Sequence, residues 1–258
     1  MWKIYDELIK GIPDDIYIEQ YNIGCCWTMV RAGGKTGVAL TVKEAARPLE
    51  YDGPIIGTPL KMIAGCVKSW NFIEASLGAA AINAYYNTPE KVEAQGGYIG
   101  IDQTDKSLSE RKKKNAFIAF ADEVKGKKVT VIGHFPHIEM QLKPICDLSI
   151  LERNPGKGDY PDSACEFILP EQDYVFITGM TFINKTLPRL LQIIDKKAKI
   201  SIVGPSIPLS PYLYKYGVNN LSGFTVTDQE KLDETIRRGS KHDIFKYGRM
   251  VSIDCINM

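Results

Sequence analysis

The sequence reads KKVTVIG at residues 127–133, CDLSILE at 146–152, DYVFITG at 173–179 and KISIVG at 199–204. Each run is short and nearly continuously apolar, which is expected of strands that are buried on both faces of a parallel sheet. Helical patterns lie between the runs, and a weaker strand at 221–227 and a last strand at 249–256 follow them. Strands and helices that alternate in this way predict a Rossmann-like α/β domain with a mostly parallel sheet.

The N-terminal part of the chain has a different pattern. After a short amphipathic helix, two β-type runs at 15–32 and 36–45 are separated by Gly33-Gly34-Lys35 and predict a hairpin. Helical stretches follow at 59–68 and 69–87. Ser69 is expected to cap the second helix, whose apolar stripe would pack on the hairpin.

The most polar stretch of the chain, residues 102–114, separates these two patterns. Its four consecutive basic residues are interpreted as a solvated helix face, because charge runs in a neutral protein usually have that role. We therefore expect a smaller α+β domain at residues 1–103, followed by the Rossmann-like domain at residues 104–258.

The composition is that of a globular protein, and its charge balance gives no reason to expect a highly charged partner. Hydrophobic residues make up 44% of the 258 residues, and 32 Lys plus Arg against 31 Asp plus Glu leave a net charge of +1. Neither a nucleic acid nor an anionic membrane is expected as a partner. A small molecule or a metal ligand is expected instead, and a homo-oligomer is left open. The N-terminus lacks the apolar core of a signal peptide, so the predicted location is the cytoplasm.

The six cysteines contain no C-x-x-C pair, which is typical of reduced thiols rather than of a disulfide framework. Two of them, Cys25 and Cys26, are adjacent. A redox or metal site is one interpretation of this pair. Neighbouring residues of a strand point to opposite faces, however, and core packing is therefore the favoured interpretation.

Three of the predicted parallel strands end in a glycine, namely Gly133, Gly179 and Gly204. Ligands of open parallel sheets bind beyond the carboxyl ends of the strands, near the point where the strand order reverses. Glycine lets backbone N–H groups approach a ligand, although it also serves in tight turns without any ligand. Three such turns favour a small-ligand site at this edge.

Glu152 ends the second of these strands, where a Rossmann fold places the acidic residue that contacts a ribose. The first turn does not have the matching G-x-G-x-x-G pattern, because Phe135 and Pro136 occupy the place where a pyrophosphate would pass. A conventional dinucleotide site is therefore not predicted.

His134 is the titratable residue of greatest interest, since it follows the first strand directly and could act as acid, base or metal ligand. His137 is expected in the first turn of the next helix, on the same face. Together with Glu152 and with Asp159 from the following loop, His134 would form a mixed nitrogen and oxygen donor set. Such a set suits a divalent transition metal, although no fixed-spacing metal motif is present.

Further polar side chains are candidates for ligand contacts or for ordinary structural roles. Thr178, Thr181 and Asn184 flank Gly179 and could bind a ligand or cap the next helix. Asn71, Glu74 and Asn83 of the long N-terminal helix could face a cleft or form the solvated side of that helix.

Several ordered strings carry a resemblance to a known family: VIGHFP (131–136), LERNPGKGDYPDSA (151–164), DYVFITGMTFINKTLPRLL (173–191) and VGPSIPLSPYLYKYGV (203–218). They resemble uncharacterised prokaryotic proteins described as "putative heavy-metal chelation". The helix string NFIEASLGAAAINA (71–84) is similar to the companion domain of that family, which has an enolase N-terminal-like fold. The resemblance implies a cleft between an α+β domain and a Rossmann-like domain. The cleft residues that it implies are His134, Glu152, Arg153, Asp159, Thr178, Asn184, Ser206, Glu74 and Asn83.

Three hypotheses follow from these patterns. The first is a cytoplasmic protein that binds a metal ion or metal complex in the interdomain cleft, with His134, Glu152 and Asp159 as ligands. The second is an enzyme that acts on a small metabolite or a nucleotide-derived cofactor, with His134 or Glu152 as acid or base. The third is a purely structural or assembly role.

Overall fold

A computed structural model describes residues 2–44, 47–99 and 116–255 of the protein. The polar stretch at 102–114 and the predicted domain boundary lie outside these described residues. The strands are β1 (Ile18–Ile23), β2 (Trp27–Ala32), β3 (Lys35–Leu40), β4 (Tyr98–Ile99), β5 (Lys128–Ile132), β6 (Asp147–Glu152), β7 (Tyr160–Pro161), β8 (Tyr174–Thr178), β9 (Lys199–Val203), β10 (Asn220–Val226) and β11 (Gly248–Asp254). The helices are α1 (Lys3–Lys10), α2 (Leu60–Gly65), α3 (Phe72–Tyr86), α4 (Pro89–Ala94), α5 (Ala116–Ala119), α6 (Ala121–Val124), α7 (Ile138–Leu142), α8 (Cys165–Ile168), α9 (Met180–Ile183), α10 (Leu187–Ile193) and α11 (Gln229–Arg237).

The larger sheet has the strand order β4-β11-β10-β9-β8-β5-β6-β7. Strands β5 to β10 pair in parallel, whereas β11 is antiparallel to β10 and the short β4 is antiparallel to β11. From β7 to β10 the order is 3-2-1-4-5-6 in chain sequence, which is the order of the doubly wound dinucleotide-binding fold. The predicted α/β fold class is confirmed, and the strand order reverses between β5 and β8.

The register of the parallel strands aligns their carboxyl ends. Ile132 of β5 pairs with Leu151 of β6 and with Ile177 of β8, and Thr178 pairs with Val203 of β9. The residues that follow these strands therefore meet at one edge of the sheet. The alternation of apolar strands and short helices in the sequence produces this alignment.

The smaller sheet is a three-stranded antiparallel meander of β1, β2 and β3. The first β-type run was expected to be one strand of a hairpin, and this expectation was wrong because the chain turns at Gly24. The Gly24 amide donates to the Trp27 carbonyl at 2.9 Å, which closes the turn between β1 and β2. The second turn lies at Gly33 and Gly34, as predicted, and both glycines have positive φ.

Cys25 and Cys26 lie in the turn between β1 and β2 rather than on a strand. Cys25 is exposed, so the core-packing interpretation was wrong for Cys25, whereas the half-buried Cys26 packs against a hydrophobic cluster that includes Trp27. The physical reason is the turn itself, which removes the strand geometry that would send the two side chains to opposite faces.

Helix α3 is buried on nearly all sides instead of having a single apolar stripe. It packs on β2 and β3 with one side and on α2 and the residues 66–68 with the other. The N-cap is Asn71 and not Ser69, because the Asn71 side chain accepts from the amides of Ile73 and Glu74.

One hydrophobic core extends through both parts of the chain, and its members run from Ile4 to Ile253. At its centre the Tyr5 ring of α1 stacks on the Phe182 ring of α9 with centroids 4.8 Å apart. The Tyr5 hydroxyl donates to the Phe182 carbonyl at 2.9 Å. The N-terminal sheet and its helices are therefore packed directly against the parallel sheet.

Candidate functional site

A pocket of about 640 Å³ lies at the carboxyl ends of β5, β6 and β8. This is the edge at which the strand order reverses, the usual position of a ligand site in an open α/β sheet. The segment that follows β3 contributes Val42 and Glu44 to the pocket wall. Among the described residues, the pocket thus has lining residues from both the N-terminal and the C-terminal part.

The pocket wall is largely apolar. Val42, Phe135, Leu151, Met180 and Leu190 belong to this apolar lining. Phe135 is held in place by an edge-on contact with Phe117, with ring centroids 5.0 Å apart. The volume lies within the range of pockets that hold organic ligands of moderate size in other proteins.

His134 is a solvent-accessible polar residue of the pocket, with 39% of its side chain exposed. Its Nδ1 atom lies 2.9 Å from Oδ2 of Asp159, whose own side chain is 1% exposed. The Gly156 amide donates to the same carboxylate oxygen at 2.9 Å and fixes its position. In the neutral imidazole, Nδ1–H therefore donates to Asp159 and the lone pair is on Nε2. Within the described part of the chain, Nε2 has no hydrogen-bond partner.

The Glu152 carboxylate, at the end of β6, accepts hydrogen bonds from backbone amides of two strand-end turns. Its Oε2 atom accepts from the His134 amide at 2.8 Å. Its Oε1 atom accepts from the amides of Arg153 and Asn154 at 2.8 and 3.2 Å. Both oxygens are thus used to hold the two neighbouring strand-end turns in register.

These contacts decide how well the three predicted metal ligands fit a metal ion. The carboxylates of Glu152 and Asp159 are engaged by backbone amides and by His134, which leaves Nε2 of His134 as the free donor. No group of three His, Cys, Asp or Glu side chains in the described ranges could hold a metal ion. The three residues come together, but they do not fit a bare ion as a shared ligand set.

The three strand-end glycines have different roles. Gly133 has a φ of 98° and lines the pocket beside Thr178. Gly204 also has a positive φ, 117°, which only glycine adopts readily. At Gly179 a Cβ atom would lie 2.9 Å from the Ile207 amide nitrogen, so this glycine permits close backbone packing. Gly179 and Gly204 do not line the pocket.

The threonine and asparagine residues near Gly179 are bound to local partners. The Thr181 hydroxyl donates to the Thr178 carbonyl at 2.7 Å. The side-chain oxygen of Asn184 accepts from the Thr186 hydroxyl and amide at 2.7 and 3.2 Å. Thr178 and Asn184 still line the pocket, as does Arg153, whose Nε lies 3.2 Å from Asp162.

The remaining predicted residues, Glu74, Asn83 and Ser206, are buried away from the pocket wall. Glu74 accepts from the amides of residues 50 and 51, at 3.1 and 2.6 Å. Asn83 donates to the carbonyls of Val38 and Pro205, and the Ser206 hydroxyl accepts from the Leu40 amide at 2.9 Å. Asn83 and Ser206 thus join β3 to the segment that follows β9, whereas Glu74 binds only within the N-terminal part. The solvated face expected for Glu74 and Asn83 was wrong.

His137 does not belong to the first turn of a helix. It is the exposed N-cap of α7 and has a left-handed conformation with φ 62°. The expected pairing with His134 on one helix face was therefore wrong, because α7 begins only at Ile138.

Lys185 and Arg189 are pocket residues that the sequence patterns did not indicate. Arg189 forms a two-pronged ion pair with Glu166 at 2.9 and 2.7 Å, which lowers the pKa of the Glu166 carboxyl. Lys185 is buried and its ammonium group donates to the Ser69 carbonyl. The nearest sequence signal was the Asn-Lys turn that separates α9 from α10, and it carries no information about a partner 116 residues away.

Sequence comparison with known families finds two matches in this chain. Residues 115–253 match DUF364 and residues 5–86 match DUF4213, and both families are described as "putative heavy-metal chelation". An uncharacterized protein of Methanocaldococcus jannaschii is 28% identical over 230 residues, which is 85% of this chain and 82% of that protein.

Two crystal structures are similar over nearly the whole chain. A DUF364 protein of unknown function from Desulfitobacterium hafniense is 44% identical, with a TM-score of 0.84 and 98% of each chain covered. A DUF364 protein of unknown function from Pyrococcus horikoshii is 27% identical, with a TM-score of 0.77, 97% of this chain and 98% of that chain covered. The family match and the common fold agree, and the chain belongs to the DUF364 family, whose description is "putative heavy-metal chelation".

Proposed function

We propose that this protein binds a metal complex, that is, a metal ion already held by a small organic chelator, in the pocket at the strand ends. The observation that carries the proposal is the His134–Asp159 pair, which presents a single imidazole nitrogen to an otherwise largely apolar pocket. A bare ion would need several protein donors, whereas a chelated ion needs only one to fill an open coordination position.

The contacts of His134 support this role as a metal ligand. Histidines that bind metals usually donate their second ring N–H to a carboxylate, which orients the ring and raises the basicity of the ligating nitrogen. Asp159 is in that position and is nearly inaccessible to solvent. The description of the family as "putative heavy-metal chelation" agrees with a metal-containing ligand. We propose the cytoplasm as the location, because all six cysteines are free.

The second candidate is an enzyme that acts on a small metabolite. The same pair favours it, because a carboxylate that orients an imidazole is also the arrangement of a general base. The ligand would then be stabilised by the apolar wall and would need no metal. The two candidates therefore differ in whether binding survives an excess of chelator.

Calorimetry with Ni²⁺-nitrilotriacetate as the probe tests the first candidate on untagged protein. We expect binding to the unaltered chain and its loss in His134→Ala. Asp159→Asn should weaken binding about 10- to 100-fold, because this second ligand shell only orients the ring. The matched control is His137→Ala, an exposed histidine three residues away, which should bind like the unaltered chain.

Equal binding by His134→Ala and the unaltered chain would contradict the proposal. A thermal-shift screen of metabolites in excess EDTA tests the enzyme candidate in parallel. Stabilisation by a metabolite in EDTA that is lost in His134→Ala, without any probe binding, would favour the enzyme over the metal-complex protein.

A further inference from the structure

The two thiols of Cys25 and Cys26 lie close together at the surface turn between β1 and β2. Their Sγ atoms are 3.7 Å apart. Both thiols are directed at the carbonyl oxygen of Gly239, at 3.5 Å from Cys25 and 3.8 Å from Cys26. Two sulfur atoms and one oxygen atom thus converge on one small region that is separate from the strand-end pocket.

The separation of the two sulfur atoms matches a tetrahedral metal centre. A Zn²⁺ ion binds thiolates at about 2.3 Å, and two such ligands at a tetrahedral angle lie about 3.8 Å apart. The turn therefore holds the two sulfurs at the spacing of two ligands of one ion, with little rearrangement needed.

A disulfide between the two cysteines fits the geometry less well. Bonded sulfurs are about 2.05 Å apart, and the Cα atoms of ordinary disulfides are about 4.4–6.8 Å apart. Adjacent residues have Cα atoms only about 3.8 Å apart, so a bond between them would be strained and easily reduced. The reduced pair of thiols is the form in which the turn is relaxed.

Gly239 is what allows the thiols to approach the carbonyl. It follows α11 with a φ of 74°, and a Cβ atom at this position would lie 2.9 Å from Sγ of Cys25. Burial and the neighbouring Cys25 raise the pKa of the Cys26 thiol, although the charges of Lys43 and Lys241 act in the opposite direction. The glycine therefore leaves room at the sulfurs for a bound ion.

We propose that Cys25 and Cys26 form a second metal site, which binds one thiophilic divalent ion such as Zn²⁺ or Cd²⁺ through both sulfurs. The ion replaces one proton on each thiol, so that two neutral thiols and one divalent ion give a neutral bis-thiolate complex and two released protons. Thiolate ligands select soft ions over Mg²⁺ or Ca²⁺. Because the turn is exposed, the ion keeps coordination positions that an external ligand can fill. This site is independent of the function proposed for the strand-end pocket.

Titration of the reduced full-length chain with Cd²⁺ tests the proposal. Binding is measured by calorimetry and by the ultraviolet charge-transfer band of cadmium thiolates. We expect one ion per chain at this site and the release of about two protons, measured in buffers of different ionisation enthalpy. Cys25→Ser and Cys26→Ser should each weaken binding at least tenfold, and the double variant should lose both the binding and the band.

The controls separate this site from other thiol and imidazole groups of the chain. Cys146→Ser removes a half-buried thiol outside the pocket lining, and His137→Ala removes an exposed histidine; both should bind Cd²⁺ like the unaltered chain. Circular dichroism checks that the variants are folded. The proposal is wrong if the double variant keeps the affinity and the band, or if the unaltered chain binds no Cd²⁺.

Discussion

Lys185 is the buried cation that ties the turn between α9 and α10 to the start of α3. Its ammonium group donates to the Ser69 carbonyl and lies 4.8 Å from the centre of the Phe72 ring. Its backbone has a φ of 67°, an uncommon conformation for a side chain of this size. Burial lowers the pKa of Lys185 to about 8, although the charges of Glu50 and Glu74 act in the opposite direction.

This lowered pKa gives a pH dependence of stability with a defined sign. The unfolded chain, with an ordinary lysine pKa near 10.5, binds more protons than the folded chain between about pH 8 and that value. The contribution of Lys185 to the free energy of unfolding therefore rises with pH across this window. Denaturant unfolding of the unaltered chain and of Lys185→Met at pH 7 and pH 10 measures it. The free energy of unfolding of the unaltered chain minus that of the variant should be larger at pH 10 than at pH 7. An equal or smaller difference at pH 10 would contradict the prediction.

At the level of elements, α3 is held in place by two glycines that permit backbone contact. A Cβ atom on Gly37 of β3 would lie 2.0 Å from the Ala84 amide nitrogen of α3. A Cβ atom on Gly78 of α3 would lie 2.0 Å from the Val67 amide nitrogen on the opposite side. The many alanines of α3 also permit close packing, because small side chains let the helix lie between the sheet and α2.

Gly78→Ala is therefore expected to destabilise the protein by about 3 kcal/mol or more, since the methyl group would overlap with backbone atoms that cannot rotate away. The matched control is Gly65→Ala at the end of α2. Its φ is −58°, and outside its chain neighbours and its own helix backbone no described atom lies within 4 Å of an added Cβ atom. Gly65→Ala should be neutral or stabilise by up to about 1 kcal/mol. Equal effects of the two variants in denaturant unfolding would refute the close-contact explanation.

At the level of the whole molecule, buried side-chain hydrogen bonds connect segments that are far apart in sequence. Asn87, at the end of α3, donates to the carbonyls of Ile207 and Phe224 at 3.0 and 3.3 Å, and its oxygen accepts from the Leu209 amide at 2.8 Å. The short β4 also pairs with β11 at the antiparallel edge of the larger sheet. None of the described helices is both long and apolar enough to cross a membrane.

Replacement of Asn87 by Ala should lower the free energy of unfolding by about 3 kcal/mol, because the three backbone groups would lose their partner in a buried place. Asn154→Ala is the control, since its exposed side chain makes no hydrogen bond among the described residues. Thermal unfolding should show a single transition at lower temperature for Asn87→Ala. A melting temperature equal to that of the Asn154→Ala control would be evidence against the bridge.

Much of the fold and part of the candidate site follow from local patterns in the sequence. The apolar runs before Gly133 and Gly179 predicted parallel strands, because strands covered on both faces need continuous apolar residues. The strand ends also predicted where His134 and Glu152 would meet, since parallel strands bring their carboxyl ends to one edge. These predictions depend on residues that are close in sequence.

Only the tertiary structure decided what the individual side chains contact. The sequence contains His134 and Asp159, but the carboxylate could have been a metal ligand or the partner of the imidazole, and packing made it the partner. The thiols of Cys25 and Cys26 both face the carbonyl of Gly239, which follows α11 in a distant part of the chain. The physical reason is the same in both cases. Periodicity and turn residues act locally, whereas burial, pKa and donor geometry arise from contacts between segments that no local pattern encodes.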